Sequence, residues 1–389
     1  MKVWDYIFPP EKDVIIWGGG AVGREWLEFL KKLDRRVVCF FDVRADVMDV
    51  IDGVRVVLPQ RVQTQMPVLL VASYKHAEEI ISSARKLGYN NILSGKILDF
   101  IPKYVNLGMD GDFFPFGHFY SLYPDLQEVQ DSYARVQSAS ISRADGICLN
   151  TEKQIETLNR MNDMWDDLPK WEKYGTNVES KFRYRVGNPS IGMSDSVVLH
   201  FMLRLLKPKR FIEVGSGYTS ALTLDTAEYY MENNIDLKFI EPYPQLLYSL
   251  LKETDDKDKM VIAAKLQTIS LDVFRDLHDG DILFIDSSHS VKFGSDVNYL
   301  FFHILPHLQK GVYVHLHDIF YPWEYPANWI MKGMGWNELY LLRAFLQYND
   351  SWEIVFFNHY MAREHRDLYC DEWRKISDLG GGSFWMRKK

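Results

Sequence analysis

At 389 residues with 47% hydrophobic content, the chain is long enough for two or three domains with real cores. A net charge of −8 leaves no basic surface to recommend nucleic acid as a partner, and three scattered cysteines (Cys39, Cys148, Cys370) without a CxxC pair argue against a disulfide scaffold or zinc knuckle. Residues 1–10 lack an apolar core and charges interrupt every later apolar run, so no signal peptide or membrane span is expected, and the chain reads as a soluble cytoplasmic enzyme.

Taken in order, residues 14–17 form a strand, Gly18, Gly20 and Gly23 follow in a G-x-G-x-x-G pattern, and residues 25–33 form a helix whose Trp26, Leu27, Leu30 and Leu33 face a sheet. A second strand, 37–41, ends in Asp42, near the offset at which an acidic residue accepts ribose hydroxyls. Strands at 54–58 and 67–71 and a helix at 76–87 complete a module that closes near residue 104, too short for both halves of a dinucleotide fold. It looks like the small Rossmann-type domain appended to several sugar-modifying enzymes. Two readings stay open: Gly18, Gly20, Gly23 and Asp42 hold a nucleotide or nucleotide-sugar, or the glycines only shape a turn in a docking module.

Residues 105–185 break this rhythm. The stretch 112–123 is dense in aromatics and turn formers, 152–168 is an amphipathic helix, and 171–185 is aromatic and basic. A segment of this kind before a cofactor domain reads as a cap, in which His118 and Tyr120 could touch substrate or simply pack.

From residue 186 the strand–helix alternation is regular. A helix at 195–206 leads into the strand 211–214, which ends in Gly215, Ser216 and Gly217 and is followed by a helix to about residue 230. A glycine turn between a strand and a helix lies at the sheet edge where open α/β folds bind ligands. Glu213 inside the strand would repel a pyrophosphate but could hold a cationic amine, a combination that suits S-adenosylmethionine better than NAD. The strand 237–240 ends at Glu241, placed to hold both ribose hydroxyls, and Gln267 lies just beyond the strand 260–263, near an adenine edge. The fourth strand, 281–285, ends in Asp286 with His289 close behind, and the fifth, 311–316, ends in His317 and Asp318. His315 alternates inward and reads as a core histidine. A helix at 338–347 and strands at 352–357 and 382–386 close the chain, the last two as an antiparallel pair joined without a helix, with Gly380–Gly382 as a hinge.

These residues carry a resemblance. Residues 186–389 resemble a class I S-adenosylmethionine-dependent methyltransferase, within the group that has an F-I-D-x-x-H strand end (Phe284 to His289) followed by a G-x-x-x-x-x-H-D strand end (Gly311 to Asp318). The block at 116–121 and the chain's end look like that group's flanks. The resemblance implies an α/β fold: a Rossmann-like seven-stranded sheet with an antiparallel last strand, beside the smaller N-terminal Rossmann-like domain and the helical, aromatic cap, divided as 1–104, 105–185 and 186–389. It implies that Glu213, Gly215, Ser216 and Gly217 contact the methionine moiety and Glu241 the ribose.

Methyl transfer displaces at a sulfonium carbon, so the enzyme chiefly aligns the acceptor and removes its proton. His289 or His317 could serve as general base. Asp286 and Asp318 could bind Mg2+ through oxygen ligands, or Asp286 could serve the cofactor alone. Tyr321 and Trp323 would form an aromatic wall suited to a sugar ring. The leading expectation is O-methylation of a sugar, glycan or related polyhydroxylated metabolite, with a homo-oligomer allowed. The alternatives are an NAD(P)- or nucleotide-sugar-binding oxidoreductase built on the first domain, and a non-catalytic binding protein.

Overall fold

Short runs of β-branched and aromatic residues, each flanked by turn formers, build two sheets. The structure is a computed structural model describing residues 4, 7–60, 62, 67–73, 75–95, 117, 121–139 (135–139 as backbone alone) and 144–389. His118, Tyr120 and most of the aromatic stretch around them lie outside the described residues. The chain forms two compact units, Met1–Tyr133 with Ala327–Gly335, and Ala134–Pro326 with Trp336–Lys389.

In the first unit, β1 (Val14–Trp17), β2 (Val37–Phe41), β3 (Val50–Ile51), β4 (Val54–Val57), β5 (Val68–Val71) and β6 (Ile92–Ser94) form one sheet in the order β3-β4-β2-β1-β5-β6. Every pairing is parallel except β3 with β4. Neighbouring side chains on a strand face opposite ways, and the two faces show it. Ile16, Phe40 and Leu70 join Trp26, Leu27 and Leu30 of helix α1 (Ala21–Lys32) in one cluster. Ile15, Cys39, Phe41 and Leu69 join Tyr89 and Ala84 of helix α2 (Ala77–Lys86) in the other. β3 and β6 were not expected; two or three residues are too few to show a period.

The second unit holds β7 (Arg210–Val214), β8 (Asp236–Ile240), β9 (Val261–Ile262), β10 (Ile282–Ile285), β11 (Tyr313–Leu316), β12 (Trp352–Phe357) and β13 (Phe384–Lys388). Their order is β12-β13-β11-β10-β7-β8-β9, and only β13 runs antiparallel, against both β11 and β12. The expected seven-stranded sheet with its antiparallel last strand is therefore present. Strand order reverses at β7, whose neighbours are β8 and β10, and open α/β sheets bind ligands at the carboxyl ends of strands at such a point. Helices α4 (Met193–Leu206) and α5 (Tyr218–Tyr230) are buried from Ser194 to Leu203 and from Tyr218 to Ala227. Helix α3 (Thr151–Asp163) is shorter than expected, because a 3-10 turn, Trp165–Asp167, continues it.

The connection between β12 and β13 corrects the sequence reading. It is not helix-free: Asn358–Glu364 forms a helix, followed by turns at Arg366–Leu368 and Asp371–Arg374. Tyr360 and Met361 with Tyr369 and Trp373 bury their side chains there, and this local burial outweighs a sequence without an extended apolar period.

Arg183 pins the segment before α4 onto α5. Its side chain is 3% exposed and its guanidinium reaches Asp225 at 2.9 Å, Glu228 at 2.6 Å and Asp255 at 2.5 Å. Asp225 also accepts the backbone N–H groups of Arg183 (3.0 Å) and Tyr184 (2.8 Å). Replacing Arg183 with Met leaves buried carboxylates without their cation, and a loss of about 3–5 kcal/mol is expected in urea unfolding. A loss below about 1 kcal/mol, the range of a surface pair, would contradict this.

Candidate active site

The turn after β7 is forced to be glycine by what lies against it. Gly215 has φ +82°, and a Cβ there would sit 1.8 Å from the carbonyl oxygen of Asp286 at the end of β10. The turn and the β10 end thus touch backbone to backbone. Gly217 then starts α5, its N–H donating to the Ser220 hydroxyl at 3.1 Å.

Glu213 lies beneath this turn and is fully buried. Its Oε1 accepts the Ser220 hydroxyl at 2.9 Å and the Thr219 hydroxyl, whereas Oε2 has no hydrogen-bond partner. The two helix-start hydroxyls therefore bind the glutamate, and that of Ser220 also accepts the Gly217 N–H. Burial pushes the Glu213 carboxyl up to about 8. The hydroxyls offset part of that rise, and Asp286 and Glu241 add to it. Its unpartnered oxygen suits a cationic group.

Glu241 follows β8. Its Oε2 accepts the Ser216 N–H at 3.2 Å and its Oε1 the Tyr243 N–H at 2.8 Å, which fixes the carboxylate beside the glycine turn. Gln267 sits in a 3-10 turn beyond β9 and donates to the Gly294 carbonyl at 2.8 Å.

The ends of β10 and β11 bring Asp286, His289, His317 and Asp318 together. His289 Nδ1 contacts Glu338 Oε2 at 2.9 Å, while Nε2 faces Asp286 Oδ1 at 3.4 Å and Asp318 Oδ2 at 3.6 Å. His317 Nδ1 lies 3.5 Å from both Asp286 Oδ1 and Asp318 Oδ1, and its Nε2 lies 3.4 Å from Asp195 Oδ2. Burial would depress both imidazoles, but the surrounding carboxylates win. His289 is pushed up to about 10 by Asp286 and Glu338, and His317 lies well above the usual range because of Asp318, Asp286 and Asp195. Burial likewise opposes ionisation of Asp286, yet His317 and His289 hold it well below the usual carboxylate range. One ligand atom each from Asp286, His289 and Asp318 falls within 4.8 Å of the others, a spacing that can hold a cation. His289 (φ +54°) and Asp318 (φ +59°) both take the left-handed backbone that side chains disfavour, as residues at functional sites often do.

Other expected residues lie elsewhere or play other parts. Tyr321 and Trp323 are buried, Trp323 packing on Phe357 and Phe384 and Tyr321 on Phe357 and Tyr360, so neither presents an open aromatic wall. Among the described residues, Trp336 sets an aromatic ring beside the cluster, 4.4 Å from the His289 ring. His315 is a core histidine, stacked 3.9 Å from Phe284 and bonded to Ser383. Three residues in contact with the cluster, Asp195, Glu338 and Trp336, were not singled out from the sequence; the two acids lie in the first turns of helices, where carboxylates are common for other reasons.

In the first unit Gly18 has φ +118° and a Cβ on Gly23 would meet the Gly18 carbonyl at 1.9 Å, so both glycines serve close helix–strand packing. A Cβ on Gly20 would meet nothing. Asp42 is already engaged: Oδ2 accepts the Gly19 N–H at 2.7 Å, and Arg44 binds both oxygens at 2.8 Å.

Residues 212–319 match the family model described as a methyltransferase domain. An uncharacterized protein of Archaeoglobus fulgidus is 28% identical over 137 residues, 34% of this chain, and the match spans 60% of that protein's length. Among solved structures, an SAH-bound methyltransferase of Podospora anserina shares 16% identity and a TM-score of 0.34, covering 72% of this chain and 99% of that one. An O-methyltransferase of Streptomyces achromogenes in complex with SAM shares 15% identity and a TM-score of 0.32, covering 60% and 89%. Superposition scores this low carry no chemistry, whereas the family match spans β7 to β11 and the Asp286–Asp318 cluster.

Glu213 gives the ligand-free chain a definite pH dependence. Its folded pKa of about 8 lies above the ordinary 4.5, so the folded state holds a proton the unfolded chain releases, and stability falls as pH rises through that window. At ~1.4 kcal/mol per pKa unit the effect is a few kcal/mol by the upper end. Glu213→Gln is expected to flatten this decline, its Tm overtaking that of the wild type above neutral pH. Parallel melting curves from pH 5 to 9 would rule this role out.

Proposed function

We propose that the protein, whose residues 212–319 match a methyltransferase domain, transfers the methyl group of S-adenosylmethionine to a hydroxyl of a sugar, glycan or related polyhydroxylated metabolite. The observation that carries this reading is the contact between Gly215 and the Asp286 backbone, which makes the cofactor turn and the Asp/His cluster two walls of one crevice. The cofactor supplies an electrophilic methyl on a sulfonium. Glu213 Oε2 accepts the ammonium of its methionine part, with Gly215, Ser216 and Gly217 lining that end. Glu241, fixed beside Ser216, would take the ribose, Gln267 would meet the adenine edge, and Asp286, beside His289, would face the reacting end.

His289 is the base. Its Nδ1 is held by Glu338, leaving Nε2 toward the carboxylates of Asp286 and Asp318. With the cofactor bound, this nitrogen would take the proton of the acceptor hydroxyl as that hydroxyl is methylated. His317 is as buried as His289 and likewise has carboxylates at both nitrogens, but its Nε2 is turned away from the strand-end pair, toward Asp195. Three carboxylates around His289 keep it protonated, and a base function needs that field offset. A divalent cation such as Mg2+ on Asp286 and Asp318, whose ligand atoms have the spacing for one, would supply the offset and lower the hydroxyl pKa. Trp336, against the His289 ring, offers the apolar face of a sugar ring a surface.

The first unit is a docking module in this reading, since a ribose would have to displace Arg44 from Asp42.

Methyl transfer from labelled S-adenosylmethionine onto pooled hydroxylated metabolites and glycans tests the whole. His289→Ala is expected to lower the rate at least ~100-fold with S-adenosylhomocysteine affinity unchanged. A His289→Ala rate near wild type would remove the base assignment. Chelation of divalent ions should abolish transfer, and transfer unaffected by chelation would remove the cation.

A further inference from the structure

We infer that Asp195 is a positioning residue for the cluster, acting through His317. Asp195 lies in the first turn of α4, far from the strand ends in sequence, and is 5% exposed. Its Oδ1 accepts Asn358 Nδ2 at 2.9 Å and the Ser383 N–H at 2.9 Å, and its Oδ2 accepts the Gly382 N–H at 2.9 Å. The same Oδ2 lies 3.4 Å from His317 Nε2, an ion-pair contact rather than an aligned hydrogen bond. Across the ring, His317 Nδ1 stands 3.5 Å from one oxygen of Asp286 and one of Asp318. The imidazole is thus a strut: one nitrogen is anchored on a carboxylate that three other donors hold still, and the other nitrogen sets the gap between the two strand-end carboxylates.

The glycine run before β13 exists for this arrangement. A Cβ on Gly381 would lie 2.2 Å from Asp195 Oδ2, and one on Gly382 would lie 2.5 Å from the Cα of Asp318. Ile319 N–H closes the ring of contacts on the Gly382 carbonyl at 2.9 Å. Gly380–Gly382 is therefore a packed clamp around both carboxylate-bearing segments, not the hinge its composition implied. Carboxylates that orient an imidazole beside a metal site influence affinity without touching the ion.

The metal arm of the test rests on the reading of Asp286 and Asp318 as a cation site; the other arm does not. In the full chain with 15N-labelled histidine, the His317 ring signals are those lost in His317→Gln. Asp195→Asn is expected to move those signals while leaving S-adenosylhomocysteine affinity within about twofold, and to weaken Mn2+ binding about 10- to 100-fold. Should Asp195→Asn fail to fold, His317→Gln keeps every other Asp195 contact and is expected to show the same loss of Mn2+ affinity, measured well below its lowered Tm. Unmoved His317 signals in folded Asp195→Asn, or full Mn2+ affinity in His317→Gln, would overturn the assignment. If the wild type binds no Mn2+, the cation reading fails and the ring signals alone decide whether Asp195 positions His317.

Discussion

The contact on which the site depends is steric. The Gly215 backbone and the Asp286 carbonyl are so close that no side chain fits between them. β7 and β10 are neighbours at the point where strand order reverses, so their carboxyl ends converge on one crevice. With that closeness go the left-handed Gly215, the fixed Glu241 carboxylate on Ser216, and the placement of Asp286 between the glycine turn and His289. A larger residue at position 215 would push the ends of β7 and β10 apart.

The second constraint is electrostatic. Asp195, Asp286, Asp318 and Glu338 surround His289 and His317 in a region largely closed to water. Buried charges are tolerated only when paired, and here each imidazole lies between carboxylates on both sides. Such a cluster is a poor source of stability, because desolvation cancels much of the attraction. Its retention in strained backbone, with His289 and Asp318 left-handed, fits a site kept for chemistry. Glu213 follows the same logic with one oxygen satisfied by hydroxyls and the other left for a cation.

The parts of this site that were legible in the sequence are those written into strand ends. Glycine turns, an acid inside a strand and acids at the next strand ends have a fixed place in an open α/β sheet, so the sequence alone locates Glu213, Gly215, Glu241, Asp286 and Asp318. Asp195, Glu338 and Trp336 could not, since each reaches the cluster through tertiary packing that leaves no local pattern. Tyr321 and Trp323 misled for the converse reason: an aromatic run after a catalytic strand looks like a pocket wall, yet packing against Phe357, Tyr360 and Phe384 buries it. The first unit shows the same limit. Its glycine pattern fits a dinucleotide fingerprint, but the sequence does not reveal that Arg44 already occupies Asp42.

A crystal structure of the full chain with S-adenosylhomocysteine tests the central claim most directly, because that claim concerns one shared crevice. The account predicts the ligand's amino group on Glu213 Oε2, its ribose hydroxyls on Glu241 and its sulfur turned toward Asp286 and His289. Ligand bound instead at the Gly18–Gly23 turn, or bound at β7 with its sulfur turned away from His289, would contradict it.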